Sequence, residues 1–183
     1  MPFPLLTPRV SIESLTMRDV DEFVRYRQDP EIARFQSWDT NYSTQQGRDL
    51  VQSHADVVIP APGNWLQLAI HDRGTGELLG DLALHTVATI ELSFEIGFTL
   101  ATQHQGNGIA REAASRLLDF LFDEVGVISV GAHCDSRNSP SIALLLALGF
   151  ENRPSESATD FFKDESIVVD YFEVTSGSFH SKI

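Results

Sequence analysis

The sequence predicts an α/β fold in which a strand, a helix and a second strand form a β-α-β crossover. Residues 90–100, IELSFEIGFTL, alternate apolar side chains with polar or small ones at every position, which is typical of a half-buried strand. Over 108–124 apolar residues recur at three- and four-residue spacing, which predicts a helix with one buried face. An apolar segment follows at 127–133. A crossover of this kind makes the two flanking strands parallel.

The other elements are assigned from periodicity and from the turn residues between them. Further strands are expected at 9–15, 65–71 and 78–85, the last two joined by the glycine-containing turn DRGTGE. Further helices are expected at 18–28, 31–35, 44–58 and 139–148. A closing hairpin pairs 150–153 with 166–174, and residues 175–183, TSGSFHSKI, are expected to form a loose tail.

The size and composition of the chain predict a single domain spanning residues 1–183. The longest apolar run, residues 142–150, is too short to cross a bilayer, and the first residues do not form an export signal. Cys134 is the only cysteine, so an internal disulfide is excluded and we expect a cytoplasmic protein. We expect this cysteine to be a packed strand residue, since it follows the apolar stretch ISVGAH.

The net charge of −13 arises from 26 acidic and 13 basic residues. Binding to nucleic acid normally requires clustered lysine and arginine, so nucleic acid is not an expected partner. A negative field attracts cationic molecules such as amines, although it also serves solubility. The charge therefore argues against a nucleic-acid partner and is compatible with a cationic partner such as an amine.

A glycine-rich segment, QGNGIA at 105–110, lies where the predicted strand passes into the predicted helix. Such a segment is either an ordinary turn or an anion cradle, because the first turn of a helix leaves backbone N–H groups without partners. A dinucleotide fingerprint starting at Gly106 would require a third glycine at the position of Arg111, and the lysine of a P-loop is missing. Neither of these two phosphate motifs fits.

The same six residues resemble the Q/R-x-x-G-x-G/A signature of the GNAT superfamily of acetyl-CoA-dependent N-acyltransferases. The flanking EIGFTLATQHQGNGIAREA, the later NSPSIALLLALGFENR and the opening segment from Thr7 resemble the branch that includes the ribosomal-protein N-acetyltransferases, over roughly residues 7–153. The resemblance implies a mixed, mostly antiparallel sheet of six to seven strands. It also implies a central splayed parallel pair and helices on both faces of the sheet.

The resemblance implies that acetyl-CoA is the co-substrate and that no metal is used. Main-chain amides of the glycine loop would hold its pyrophosphate, backbone groups of the preceding strand would pair with its pantetheine arm, and an asparagine would reach the arm from the opposite wall. The matching positions are Gln105, Gly106, Asn107, Gly108, Ile109 and Ala110 for the loop, Phe98 and Leu100 for the strand, and Asn138 for the asparagine. Without the resemblance, Asn138 is simply the start of a helix.

The implied reaction is attack of an amine on a thioester, which requires a group that removes a proton and one that supplies a proton to the leaving thiolate. Glu95 is the expected base, with Glu91, His133 and water as alternatives. Many family members donate a proton from a tyrosine at the position that is Leu145 here. This sequence departs from that pattern, and Ser141 is the expected donor or thiolate ligand instead.

The acceptor is expected to be a protein N-terminus or a small amine, bound against Trp38 with Phe35 and Trp65 as further candidate walls. Two other functions stay open: a catalytically silent acyl-CoA-binding regulatory module, and a nucleotide-phosphate binder unrelated to CoA. The oligomeric state is left open between monomer and homodimer.

Overall fold

A computed structural model describes residues 3–55, 57–90 and 92–180, and within these ranges nine strands form one sheet. The strands are β1 (Leu5–Leu6), β2 (Val10–Ser14), β3 (Trp65–Asp72), β4 (Leu78–Thr86), β5 (Ser93–Leu100), β6 (Ser129–Asp135), β7 (Glu151–Asn152), β8 (Ala158–Phe162) and β9 (Glu165–Thr175). Their order across the sheet is β1-β2-β3-β4-β5-β6-β9-β7, with β8 paired to β9.

The sheet is antiparallel except for the central pair of β5 and β6, which is parallel, as the crossover predicted. The strand count exceeds the expected six to seven, because two-residue β1 is too short to show an alternating pattern and β8 lies in a mostly exposed stretch. The predicted closing hairpin is correct as a pairing of β7 with β9, but the tight hairpin of β8 and β9 was not expected.

The parallel pair separates along its length. Its register runs only from Ser93 opposite Ser129 to Glu95 opposite Gly131, whereas β5 continues to Leu100 and β6 to Asp135. The two strands therefore share hydrogen bonds at their amino ends and diverge toward their carboxyl ends. This divergence opens the sheet beside the glycine loop.

The helices cover both faces of the sheet. On one face, an apolar cluster joins Leu68 and Ile70 to the long crossover helix. The side chain of Ala69 points to the opposite face, where a second apolar cluster joins it to the first helices of the chain. The helices are α1 (Val20–Arg27), α2 (Pro30–Ala33), α3 (Thr44–Ser53), α4 (Ile109–Asp119), α5 (Ser139–Ala147) and α6 (Ser176–His180). Among the residues described, no helix has the length and apolar character needed to span a membrane.

Several predicted boundaries were wrong for local reasons. The strand expected from residue 90 begins at Ser93, because Leu92 has a φ of 54°, outside the strand region. The helix expected to reach residue 58 ends at Ser53, and the next residue, His54, accepts a hydrogen bond from the backbone of β3. The crossover helix changes to a π-helical segment, Phe120–Val125, over its last turns.

The expectation of a loose tail was wrong for residues 176–180. They form α6, and the side chain of Phe179 is buried with its ring 5.4 Å from that of Phe122. An aromatic residue in a polar segment gives little periodic signal, yet its burial is sufficient to dock one helical turn. Residues 181–183 lie outside the described ranges.

Candidate functional site

The divergence of β5 from β6 opens a cavity of about 520 Å³. Its walls come from the carboxyl end of β5, the glycine loop, the beginning of α4, the region of α2 and the first turn of α5. Nine of the residues expected to form the site line it: Phe98, Leu100, Gln105, Gly106, Gly108, Ile109, Ala110, Asn138 and Ser141. Asn107 is not among its lining residues.

The glycine loop has the geometry of an anion cradle. Gly106 and Gly108 have φ angles of 77° and 75°, which glycine adopts at no steric cost. Gly108 immediately precedes α4, so the unpaired amides of the first helical turn lie at the cavity wall. A Cβ atom added at Gly106 would meet nothing within 4 Å, so the loop borders open space on this side. These features fit a bound pyrophosphate.

The side chain of Arg9, the residue before β2, holds the loop from outside the cavity. Arg9 donates from Nη1 to the carbonyl of Asn107 at 2.9 Å, and its Nε lies 2.6 Å from Oε2 of Glu112 in α4. Thr7 donates to the other carboxylate oxygen of Glu112 at 2.6 Å. Sequence reasoning missed this arrangement, because an arginine at one end of the chain gives no local sign of a loop about one hundred residues away.

Asn138 and Ser141 mark the start of α5 on the opposite wall. Asn138 is the N-cap residue, and its Oδ1 accepts a hydrogen bond from the amide of Ser141 at 3.3 Å. The side chain of Leu145 is buried at the same wall. The position at which many family members carry tyrosine thus faces the site and supplies no hydroxyl group.

A second cavity of about 90 Å³ adjoins the first and shares five of its lining residues. It extends the site along β6, where His133 and Cys134 line it. Burial, with nearby Asp135 and Asp170, raises the pKa of Cys134 to about 12. The thiol is therefore neutral near pH 7, and its burial agrees with the expected packing role.

The Glu95 carboxylate bridges two histidines from the neighbouring strands. Its Oε2 lies 2.9 Å from Nδ1 of His85 in β4, and its Oε1 lies 3.2 Å from Nε2 of His133 in β6. The hydrogen bond with His133 lowers the pKa of Glu95 and that with His85 adds to the effect, against the opposing influence of burial. The same bond raises the pKa of His133. Of these three residues, only His133 lines a cavity.

The three aromatic candidates for the acceptor wall lie in different places. Trp38 covers the buried guanidinium of Arg27, which is 3.6 Å from the centre of its ring, and Trp38 donates to the Arg27 carbonyl. Trp38 lines neither cavity, whereas Phe35 lines both. Trp65 stacks on His85 at 4.7 Å. Trp38 therefore packs against Arg27, and Phe35 is the one of these three aromatic residues that lines the two cavities.

The remaining candidate base, Glu91, lies outside the described residues. Within the described ranges, no group of three or more histidine, cysteine, aspartate and glutamate side chains is arranged to hold a metal ion.

Comparisons with solved structures agree on the fold. A spermidine N-acetyltransferase from Vibrio cholerae, in complex with CoA and spermine, superposes with a TM-score of 0.80 at 18% identity over 95% of this chain and 99% of its own length. RimJ of Mycobacterium smegmatis, in complex with CoA-disulfide, gives a TM-score of 0.76 at 21% identity over 92% of this chain and 82% of its own. At these identities the likeness establishes the fold alone.

Sequence comparison identifies the family. An uncharacterized N-acetyltransferase of Bacillus licheniformis, p20, is 27% identical over 147 residues, which is 80% of this chain and 82% of p20. The family model of the acetyltransferase (GNAT) domain matches residues 9–151, a range that contains the splayed strand pair, the glycine loop and the helix after Asn138. The chain therefore belongs to the GNAT acetyltransferase family and is an acyltransferase.

Proposed function

We propose that the chain is an N-acetyltransferase that moves the acetyl group of acetyl-CoA to a primary amine. The observation that carries this proposal is the position of the glycine loop, which places the amides at the start of α4 at the mouth of a 520 Å³ cavity between diverging strands. When bound there, acetyl-CoA supplies an acetyl group activated as a thioester. The residues of the chain bind and orient the two reactants and transfer protons.

The loop from Gln105 to Ala110 holds the pyrophosphate in this proposal. Gln105 donates to the carbonyl of Leu100 at 3.0 Å, which ties the loop to the end of β5. Beyond Glu95, the side of β5 that faced β6 is free of its partner, and backbone groups near Phe98 and Leu100 pair with the pantetheine arm. Asn138, the N-cap residue of α5, contacts the arm from the opposite wall.

We assign proton removal to the group centred on Glu95 and proton donation to Ser141. Ser141 lines both the large cavity and the smaller cavity that contains His133. Because Leu145 supplies no hydroxyl, Ser141 is the side chain we propose as donor to the leaving thiolate.

The acceptor is a protein N-terminus or a small amine. The net charge of −13 supports a cationic acceptor, and the neighbour from Vibrio cholerae was crystallised with the polyamine spermine. We propose a cytoplasmic enzyme, monomeric or homodimeric, that uses neither nucleic acid nor a membrane as a partner.

Release of free CoA thiol tests this proposal. Purified protein is incubated with acetyl-CoA and a panel of polyamines, other small amines and N-terminal peptides, and thiol is measured with a chromogenic disulfide. The buried, neutral Cys134 contributes little background, and Cys134→Ala removes what remains. Release that depends on an acceptor supports the transferase. Tight acetyl-CoA binding without turnover across the panel supports the silent module, and stronger thermal protection by ATP or NAD than by acetyl-CoA supports the nucleotide binder.

A further inference from the structure

We infer that His133 is the side chain that accepts the proton of the acceptor amine, and that Glu95 is the residue that positions it. This inference rests on the proposed function and names the base of that reaction. It reassigns Glu95 from proton acceptor to partner of an imidazole, because of where the two side chains lie relative to the cavities.

Glu95 lies behind His133 and does not itself face either cavity. Both of its carboxylate oxygens are engaged, one by His85 and the other by His133, and the residue lines neither cavity. His133 is half exposed and lines the smaller cavity together with Ser141. An incoming amine in this cavity therefore meets the imidazole of His133 before it meets the carboxylate.

The carboxylate also selects the tautomer of His133. An ionised carboxylate only accepts hydrogen bonds, so the imidazole nitrogen that contacts it, Nε2, carries a proton. In the neutral ring, Nδ1 then has a free lone pair. No hydrogen bond from another described residue reaches Nδ1, so this atom is available to accept a proton.

The surroundings of His133 favour proton acceptance. Glu95 raises the pKa of His133, through the hydrogen bond first and then through its charge, and Glu156 adds to this, whereas burial opposes it. The ring of Tyr171 in β9 lies 4.9 Å from the imidazole and limits its rotation. Other titratable side chains near this position are Tyr171 beside the imidazole, His85 behind Glu95, and Cys134 and Asp135 along the cavity wall.

The backbone of β6 makes room for this arrangement. Gly131 is paired with Glu95 on one side and with Glu173 on the other. A Cβ atom at this position would lie 2.5 Å from the hydroxyl oxygen of Tyr171. The glycine therefore allows the tyrosine ring to lie against the sheet beside His133.

The proposed reaction moves one proton from the acceptor to His133 and delivers one to the leaving sulfur. Neutral His133 takes one proton at Nδ1 from the ammonium form of the acceptor, and the lone pair released on nitrogen forms the N–C bond to the acetyl carbon as the C–S bond breaks. The sulfur leaves with the bonding electron pair. The nitrogen loses a second proton as the amide forms, and the leaving sulfur gains one through Ser141 or water. The single proton in excess passes from His133 to solvent.

Kinetics of His133→Gln, Glu95→Gln and His85→Gln test the assignment. We expect His133→Gln to lower kcat by a factor of about 100 or more, the usual contribution of a general base, with an unchanged Kd for acetyl-CoA. It should also remove the acid limb of the pH–rate profile. Glu95→Gln should lower kcat and move this limb to lower pH, whereas His85→Gln, the control that removes the other partner of the same carboxylate, should keep the limb in place.

NMR of the unliganded protein gives a readout that does not depend on turnover. Neutral His133 should carry its proton on Nε2, and its titration midpoint should fall in Glu95→Gln. A proton on Nδ1, or a His133→Gln variant that keeps the kcat and the acid limb, overturns the inference and leaves the proposed transferase standing. If the wild-type protein shows no acceptor-dependent release of CoA, the proposed function and this inference fail together.

Discussion

Arg9, the residue before β2, donates a hydrogen bond to the carbonyl of Asn107 in the glycine loop at 2.9 Å, although the two residues lie 98 positions apart in the sequence. The same guanidinium is paired with Glu112 in the first turn of α4. One side chain thus fixes both the loop and the helix whose amides form the anion cradle. Arg9 lines neither cavity, so it acts on the ligand through the loop.

Replacement of Arg9 by alanine should weaken acetyl-CoA binding. Loss of one hydrogen bond that orders the loop is worth about 1 kcal/mol, or a roughly fivefold higher Kd. Isothermal titration calorimetry measures the Kd. Arg116→Ala is the matched control, since it removes the same charge from the exposed side of α4, where Arg116 pairs with Glu124 at 3.5 Å. Equal weakening in both variants would indicate a general charge effect and contradict the assigned contact.

Lys163 connects the tip of the β8–β9 hairpin to the segment that carries Phe35. Its Nζ donates to the carbonyls of Ala33 and Trp38 at 2.7 and 2.6 Å. Because the segment between them forms part of both cavity walls, Lys163→Met should raise the acceptor KM severalfold, while the Kd for acetyl-CoA changes little. Lys163→Arg keeps a donor and should recover part of the loss. A change in Kd as large as the change in KM would argue against a specific effect on the acceptor wall.

The buried pair of Asp19 and His71 predicts acid sensitivity of the fold. Burial alone would raise the pKa of Asp19, but hydrogen bonds from His71, 2.8 Å away, and from Thr16 outweigh it and lower the pKa. A carboxylate with a lowered pKa stabilises the folded state above its unfolded value of about 3.9, and this stability is lost as the pH falls through the folded pKa.

Urea denaturation at pH 7 and at pH 3 measures this contribution. Asp19→Asn should lower the free energy of unfolding at pH 7 by about 1–3 kcal/mol, because the buried imidazole loses a charged partner. The variant should then lose less stability than the wild type on acidification. Asp21→Asn, two residues along the chain and exposed, should behave like the wild type. If Asp19→Asn loses as much stability as the wild type between pH 7 and pH 3, then other carboxylates cause the acid sensitivity.

The sequence predicted local features of this site well, and it did not predict the contacts that depend on strand register. The glycine loop is a continuous segment with its own glycine signature, so its place between strand and helix could be deduced from local residues. The polar face of β5 was also predicted, since alternation assigns Glu95 to it. The bridge from Glu95 to His85 and His133 requires the register of three strands, and alternation within one strand carries no information on its neighbours.

The same distinction applies to Trp38 and Phe35. Both lie in one short polar segment, and composition gives no means of ranking them as acceptor walls. In the structure they differ because Trp38 packs over the buried guanidinium of Arg27 and lines neither cavity, whereas Phe35 lines both. A buried cation in a predicted helix interior is uncommon, and the sequence alone offers no partner for it.

Gly108 provides the sharpest test of the loop, because the chain contains a glycine with nearly the same backbone conformation elsewhere. Gly108 has a φ of 75°, and Gly76, in the turn between β3 and β4, has a φ of 74°. A β-branched residue in this region costs about 1–2 kcal/mol. Gly108→Val and Gly76→Val should therefore lower the thermal midpoint by similar amounts.

Only Gly108→Val should affect the binding of acetyl-CoA. A Cβ at Gly108 would lie 3.5 Å from Nη2 of Arg9, the side chain that holds the loop, whereas a Cβ at Gly76 would meet nothing within 4 Å. We expect Gly108→Val to abolish the thermal protection given by acetyl-CoA and Gly76→Val to retain it in full. Normal acetyl-CoA binding by a folded Gly108→Val protein would show that the cofactor lies elsewhere, because no strained or displaced loop could present the same amides to a pyrophosphate.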